Sequence, residues 1–183
     1  MKKTLFLGSL LLASSVFAEG YMKKANVVSK DLLKTLGSNM KRELKSHGPE
    51  AALKFCSANA YKLTQEIDKQ YGKNISVKRI SLKPRNPANK ATADEAVILK
   101  AMENMHKVGA KPKNIMQVQG DVVKVYKPLF ISKKACLICH GDVAKAKPAL
   151  AKAIKNVYPH DQAMGYKMGD LRGAVVVTMP KKK

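Results

Sequence analysis

Five consecutive residues, Cys136-Leu137-Ile138-Cys139-His140, set two thiols three positions apart and an imidazole directly after the second. That spacing suits covalent haem attachment. The thiols add to the two vinyl groups of one porphyrin, and the next residue places an imidazole on the iron. Cys136 and Cys139 are then the thioether residues and His140 is the proximal ligand. Two other chemistries share part of the pattern. A redox disulfide of the thioredoxin type uses C-x-x-C but has no need of His140. A zinc site of the usual kind takes a second Cys or His pair, and the only other cysteine is Cys56. The reading is one covalently attached haem c.

Other residues bear on that reading. Cys56 is the odd cysteine, and by position alone it is a small buried hydrophobe, the usual state of a free cysteine. Arg79, Lys83 and Arg85 lie on or just after a strand and suit neutralisation of the haem propionates. Ordinary surface charge accounts for them equally well. Gly165, Gly169 and Gly173 read as turn requirements.

The elements that must position these groups follow from pattern. Residues 22–46 are helix-permissive and lysine-rich, and Gly48-Pro49 gives a stop followed by a start. A second helix runs to Gly72 with the stripe Leu53, Cys56, Ala60, Leu63 and Ile67 on its core face. Residues 74–83 form a strand with one phase slip, Ile75 and Val77 and then Ile80 and Leu82, and Pro84 and Pro87 break it into a loop. Thr92 and Glu95 make a capping box that opens a helix ending near Gly109. Residues 115–119 and 122–131 are strands joined by Gly120-Asp121. After the motif come a helix to about Lys155, a loop from Tyr158 to Gly169, and a strand from Ala174 to Met179. The fold class is α+β: an antiparallel sheet flanked by helices, with an N-terminal helical segment. Its strands on both sides of the motif suit neither the small class I cytochromes c nor the four-helix cytochromes c′.

Several blocks, in order, resemble one family. They are Ala52-Leu-Lys-Phe-Cys56, Arg79-Ile-Ser-Leu-Lys-Pro-Arg-Asn-Pro-Ala-Asn89, Tyr126-Lys-Pro-Leu129 and Cys136-x-x-Cys-His-Gly141. The last is Tyr158-Pro-x-Asp-x-Ala-x-Gly-Tyr-x-x-Gly-Asp-x-Arg-Gly173. The chain is similar to the c-type haem domain with a PAS-like fold, long described as a domain of unknown function. It occurs alone or as the extracytoplasmic sensor of bacterial signalling proteins. The resemblance implies that Cys56 is the axial ligand opposite His140. The alternatives for that position are Met102, Met105, Met116, Met164, Met168, His47, His106 and His160. Met102 and Met105 read as core, His106 as helix surface, and His160 is the best of the alternatives.

The first 18 residues carry Lys2 and Lys3, an apolar run from Thr4 to Ala13, and small residues at Val16 and Ala18. This is an export signal cleaved after Ala18, since spanning a bilayer takes about 20 apolar residues. Residues 19–183 are then a single c-type haem domain in the periplasm, with no stable membrane insertion. The net charge of +22, with lysines throughout the chain, fits a solvated basic surface, and equally docking to an acidic redox or signalling partner or to an anionic membrane face. Export and the few aromatics argue against nucleic acid. The expected function is one-electron transfer, with a haem-based redox or gas sensor acting through a partner protein as the alternative. A haem ligated on both sides speaks against an enzyme.

Overall fold

The run Ala174-Val175-Val176-Val177 has no polar residue to turn toward water, and the strand that contains it lies inside a sheet covered on both faces. In the computed structural model residues 8–182 are described, those from 8 to 16 by their backbone alone. The expected export signal falls partly outside them, since residues 1–7 are not among those described. The order is α1 (Gly8–Gln70), β1 (Ser76–Ile80), a short 3-10 turn (Pro87–Asn89), α2 (Ala93–Lys107), β2 (Ile115–Gln119) and β3 (Val122–Phe130). Then follow α3 (Lys134–His140), α4 (Val143–Ala146), α5 (Pro148–Val157) and β4 (Leu171–Pro180). The sheet runs β1-β4-β3-β2, antiparallel throughout. The fold is α+β, with a long N-terminal helix against a four-stranded antiparallel sheet.

Each face of the sheet has its own core. Val77, Val123, Val125, Val175 and Val177 pack against Tyr21, Ala25, Val28 and Leu32 of α1. On the other face Ile80, Tyr126, Ala174 and Val176 meet Leu99 and Met102 of α2. The phase slip expected around residues 75–82 has this cause. Val77 belongs to one face and Ile80 to the other, so both parities of β1 carry apolar residues.

α1 is two arms joined at a bend. Gly48 has φ 83° and ψ −176°, a left-handed turn that a side chain resists, and Pro49 begins the second arm. The first arm covers the sheet. The second carries Leu53 into a third cluster with Val143, Leu150, Ala151 and Ile154. α2 opens with both halves of the capping box: Thr92 Oγ1 accepts from the Glu95 amide at 3.4 Å, and the Glu95 carboxylate accepts from the Thr92 amide at 3.0 Å. Glu95 is also buried against Lys78, Nζ to Oε1 2.8 Å.

The motif forms its own helix, α3, and the single helix expected after it is two short ones, α4 and α5. α3 ends at Gly141, whose backbone is extended (φ −78°, ψ −155°), and a Cβ there would lie 2.7 Å from the Leu137 carbonyl oxygen. Pro148 then restarts the chain at the first position of α5, where a missing N–H costs nothing. Among the described residues no helix is long and apolar enough to cross a membrane.

Candidate functional site

α3 carries the motif, and its C-terminal end is fastened from three sides. The Tyr166 amide donates to the His140 carbonyl at 2.8 Å, and the Gly165 amide donates to that of Gly141 at 2.9 Å. His140 Nδ1–H donates to the Ala163 carbonyl at 2.7 Å, which leaves the lone pair on Nε2. Burial, reinforced by Arg85 and Arg172, pushes the imidazole down to about 3. The ring is therefore neutral at any ordinary pH, the form that ligates metal. Tyr166 stands edge-on to it, ring centres 6.4 Å apart.

Arg85 is the third fastening. Its Nε and one terminal nitrogen hold Asp161 at 3.0 and 3.2 Å, and the same terminal nitrogen donates to the Cys139 carbonyl at 2.6 Å. Asp161 is fully buried at its side chain and Arg85 only 13% exposed, so this pair is interior structure. The expectation was a cation for a propionate. The geometry also makes Arg85 a brace that ties the end of α3 to the 158–170 loop.

Arg172 takes its place through a β-bulge. Leu129 pairs with Gly173 and Phe130 with Leu171, so Arg172 is the extra residue on β4. It donates to Ser81 Oγ at 2.6 Å and to the Lys83 carbonyl at 3.1 Å, with its guanidinium 5.4 Å from the Tyr166 ring centre. Gly173 does not sit in a turn, as expected, but inside β4. A Cβ there would collide with the Ile80 carbonyl oxygen of the neighbouring strand.

Cys56 approaches from the second arm of α1. Along the expected stripe, Leu53 and Ile67 are buried, but Cys56, Ala60 and Leu63 between them are only half-buried. Arg79 lies against this opening, its terminal nitrogen donating to the Ala60 carbonyl at 3.3 Å. Its Nε is buried with no hydrogen-bond partner. Burial pushes the Cys56 thiol up and Cys139 pushes it further, while Arg79 and Arg85 pull it down. Those opposing influences place Cys56 in the same electrostatic neighbourhood as the motif. Cys56, Cys136 and Cys139 are all free thiols.

The remaining candidates sit elsewhere. His160 is exposed, His47 pairs with Glu43 at 3.3 Å, and His106 stacks near Phe130 at 5.6 Å. Met102 is fully buried against the sheet, as expected for core, whereas Met105 is 39% exposed and Met168 47%. Lys83 is exposed, with Nζ 5.9 Å from the Tyr166 ring centre. Among the described residues no group of three or more His, Cys, Asp or Glu could cage a metal ion. What is assembled is one neutral imidazole, three free thiols and an Arg79 guanidinium with a donor to spare. Asp161, Ala163, Tyr166 and Arg172 had no role assigned from sequence, although all stand in the 158–173 block whose order was distinctive.

Comparison with known proteins bears on the whole chain. The model of the family described as Tll0287-like matches residues 14–180. A solved structure described as the cyanobacterial heme-protein Tll0287 is similar at a TM-score of 0.66 and 26% identity, covering 90% of this chain and 97% of that one. No curated protein matches. With the family model spanning nearly all of the residues that build both cores and the motif, the chain belongs to the Tll0287-like family.

Proposed function

We propose that this protein carries one haem c, bonded through Cys136 and Cys139, and works as an exported one-electron carrier in the periplasm. The observation that carries the reading is the state of His140. Its Nδ1 is held by Ala163 and its Nε2 has no hydrogen-bond partner among the described residues. A carbonyl on one ring nitrogen fixes the tautomer and raises the basicity of the other, the usual arrangement of a metal-binding histidine. The neighbouring residues fit the same group. Cys136 and Cys139 are free thiols one helical turn apart on α3, and the orphaned Nε of Arg79 is a ready donor for a propionate. The similar heme-protein adds weight on the side of haem.

Haem, when bound, supplies a ferric/ferrous couple whose potential depends on its axial ligands. His140 and Cys56, the latter on the half-buried stretch of α1, would hold the iron. Arg85 keeps α3 in place, so that His140 and the two thiols keep their mutual geometry. Two axial donors leave no position for a substrate, hence a carrier and not an enzyme. A second reading, a redox or gas sensor acting through a partner, draws on Cys56. Reduction, or a gas such as carbon monoxide, would displace this thiol and give a partner a change to read.

Extraction tests the proposal. After denaturation and treatment with acid acetone, colour should stay on the polypeptide, and Cys136→Ala with Cys139→Ala should lose it. Freely extracted haem would sink the proposal. Carbon monoxide binding to the reduced protein at the expense of Cys56 would shift the function to sensing.

A further inference from the structure

We infer that the face formed by α3, α4 and α5 is the docking surface for an acidic electron-transfer protein; this rests on the haem reading above. Residues 132–157 hold Lys133, Lys134, Lys145, Lys147, Lys152 and Lys155 against a single acid, Asp142. All six lysines are exposed, and none is in an ion pair among the described residues. By contrast, α2 sets Asp94, Glu95 and Glu103 against Lys100 and Lys107. The segment that bears Cys136 and Cys139 is therefore strongly basic and free of compensating acids apart from Asp142.

The surface between the lysines is small and apolar: Ala144, Ala146, Pro148 and Ala149 are all exposed. A lysine rim around a flat apolar centre suits a weak, fast-exchanging protein contact, steered by charge and released without large side chains to extract. A membrane surface would be held by bulky apolar anchors. Here Leu150 and Ile154 of α5 are turned inward with Ala151 and buried in the third cluster, and Val157 at its end is the one large apolar residue of α5 left exposed.

The test compares two triple variants of the haem-loaded protein with equal net charge. One is Lys145→Glu, Lys147→Glu and Lys152→Glu on the proposed face. The other is Lys23→Glu, Lys30→Glu and Lys41→Glu on the first arm of α1, where these lysines are also exposed. Ferricyanide is the anionic probe. One electron passes from the ferrous protein to ferricyanide, leaving ferrocyanide and the ferric protein. At low salt the first triple should slow this reaction about tenfold and flatten its dependence on ionic strength, in line with electrostatic steering. The second should change it less than about twofold by the same principle. An unchanged haem spectrum in both triples excludes lost cofactor as the cause. Equal slowing by both would overturn the proposal, because net charge alone would then be responsible. So would sedimentation of the native protein with phosphatidylserine-containing vesicles that only the first triple abolishes, which would make the face a membrane contact. A protein that holds no covalent haem would overturn the haem reading itself, and it would be recognised by mass before any kinetics.

Discussion

The Arg85 guanidinium joins three segments that are far apart in sequence: its own loop, Asp161, and the Cys139 carbonyl at the end of α3. Removing it leaves the fully buried Asp161 carboxylate without its cation. Arg85→Ala should destabilise the protein by about 3 kcal/mol, the usual cost of breaking a buried pair from one side. Asp161→Ala added to it should recover part of the loss, and a double-mutant cycle by denaturant unfolding measures that coupling. Cys56 predicts a spectroscopic result. The ferric protein should be low-spin with the signature of thiolate ligation, and Cys56→Ala should turn it high-spin or recruit a substitute, with a raised potential. An unchanged EPR spectrum and potential would return Cys56 to core packing. At this scale the motif is legible because all of it lies within five consecutive residues. The roles of Asp161 and Arg172 are not, since one depends on a loop closing over α3 and the other on a bulge that pairing alone creates.

The elements repeat the contrast. The capping box of Thr92 and Glu95 is local and readable, and the structure has both of its hydrogen bonds. The apparent slip in β1 is not local, because it takes α1 and α2 to cover the two faces before Val77 and Ile80 are both inside. The break of the helix after the motif lies at Gly141, where the backbone turns extended, and no periodicity reveals it. Glu95 carries a pH dependence. Burial draws its carboxyl up, but the hydrogen bonds and charge of Lys78 and the Thr92 cap outweigh this and hold it below the usual range. Its stabilisation is therefore complete above the unfolded glutamate value, about 4.3, and is lost as pH falls through the lower folded value. Thermal unfolding followed from pH 7 to pH 3 should show that loss, and Glu95→Gln should reduce its slope. Gly173→Ala tests the close approach of β4 to β1. A collision with the Ile80 backbone should cost about 1–3 kcal/mol, read as a lowered denaturant midpoint at unchanged slope.

For the whole molecule, the leading residues and the charge make separable predictions. If export and cleavage follow the pattern of the first 18 residues, the purified periplasmic form should have the mass of residues 19–183 plus one haem. A mass retaining Met1 to Ala18 would instead point to an uncleaved anchor.

The place of β4 in the sheet has a consequence for synthesis. The strand that pairs with both β1 and β3 is the last element of the chain, so β1 has no partner in the sheet until residues 171–180 have emerged. Contacts that wait on so distant a segment delay folding. A chain emerging N-terminus first exposes Cys136 and Cys139 well before β4 can close the sheet above β1. That interval is an opportunity for enzymes that need an unfolded stretch of chain to work on. Ending the chain before Leu171 should leave a polypeptide that cannot complete its sheet, recognisable by rapid proteolysis, yet whose two motif thiols remain open to modification.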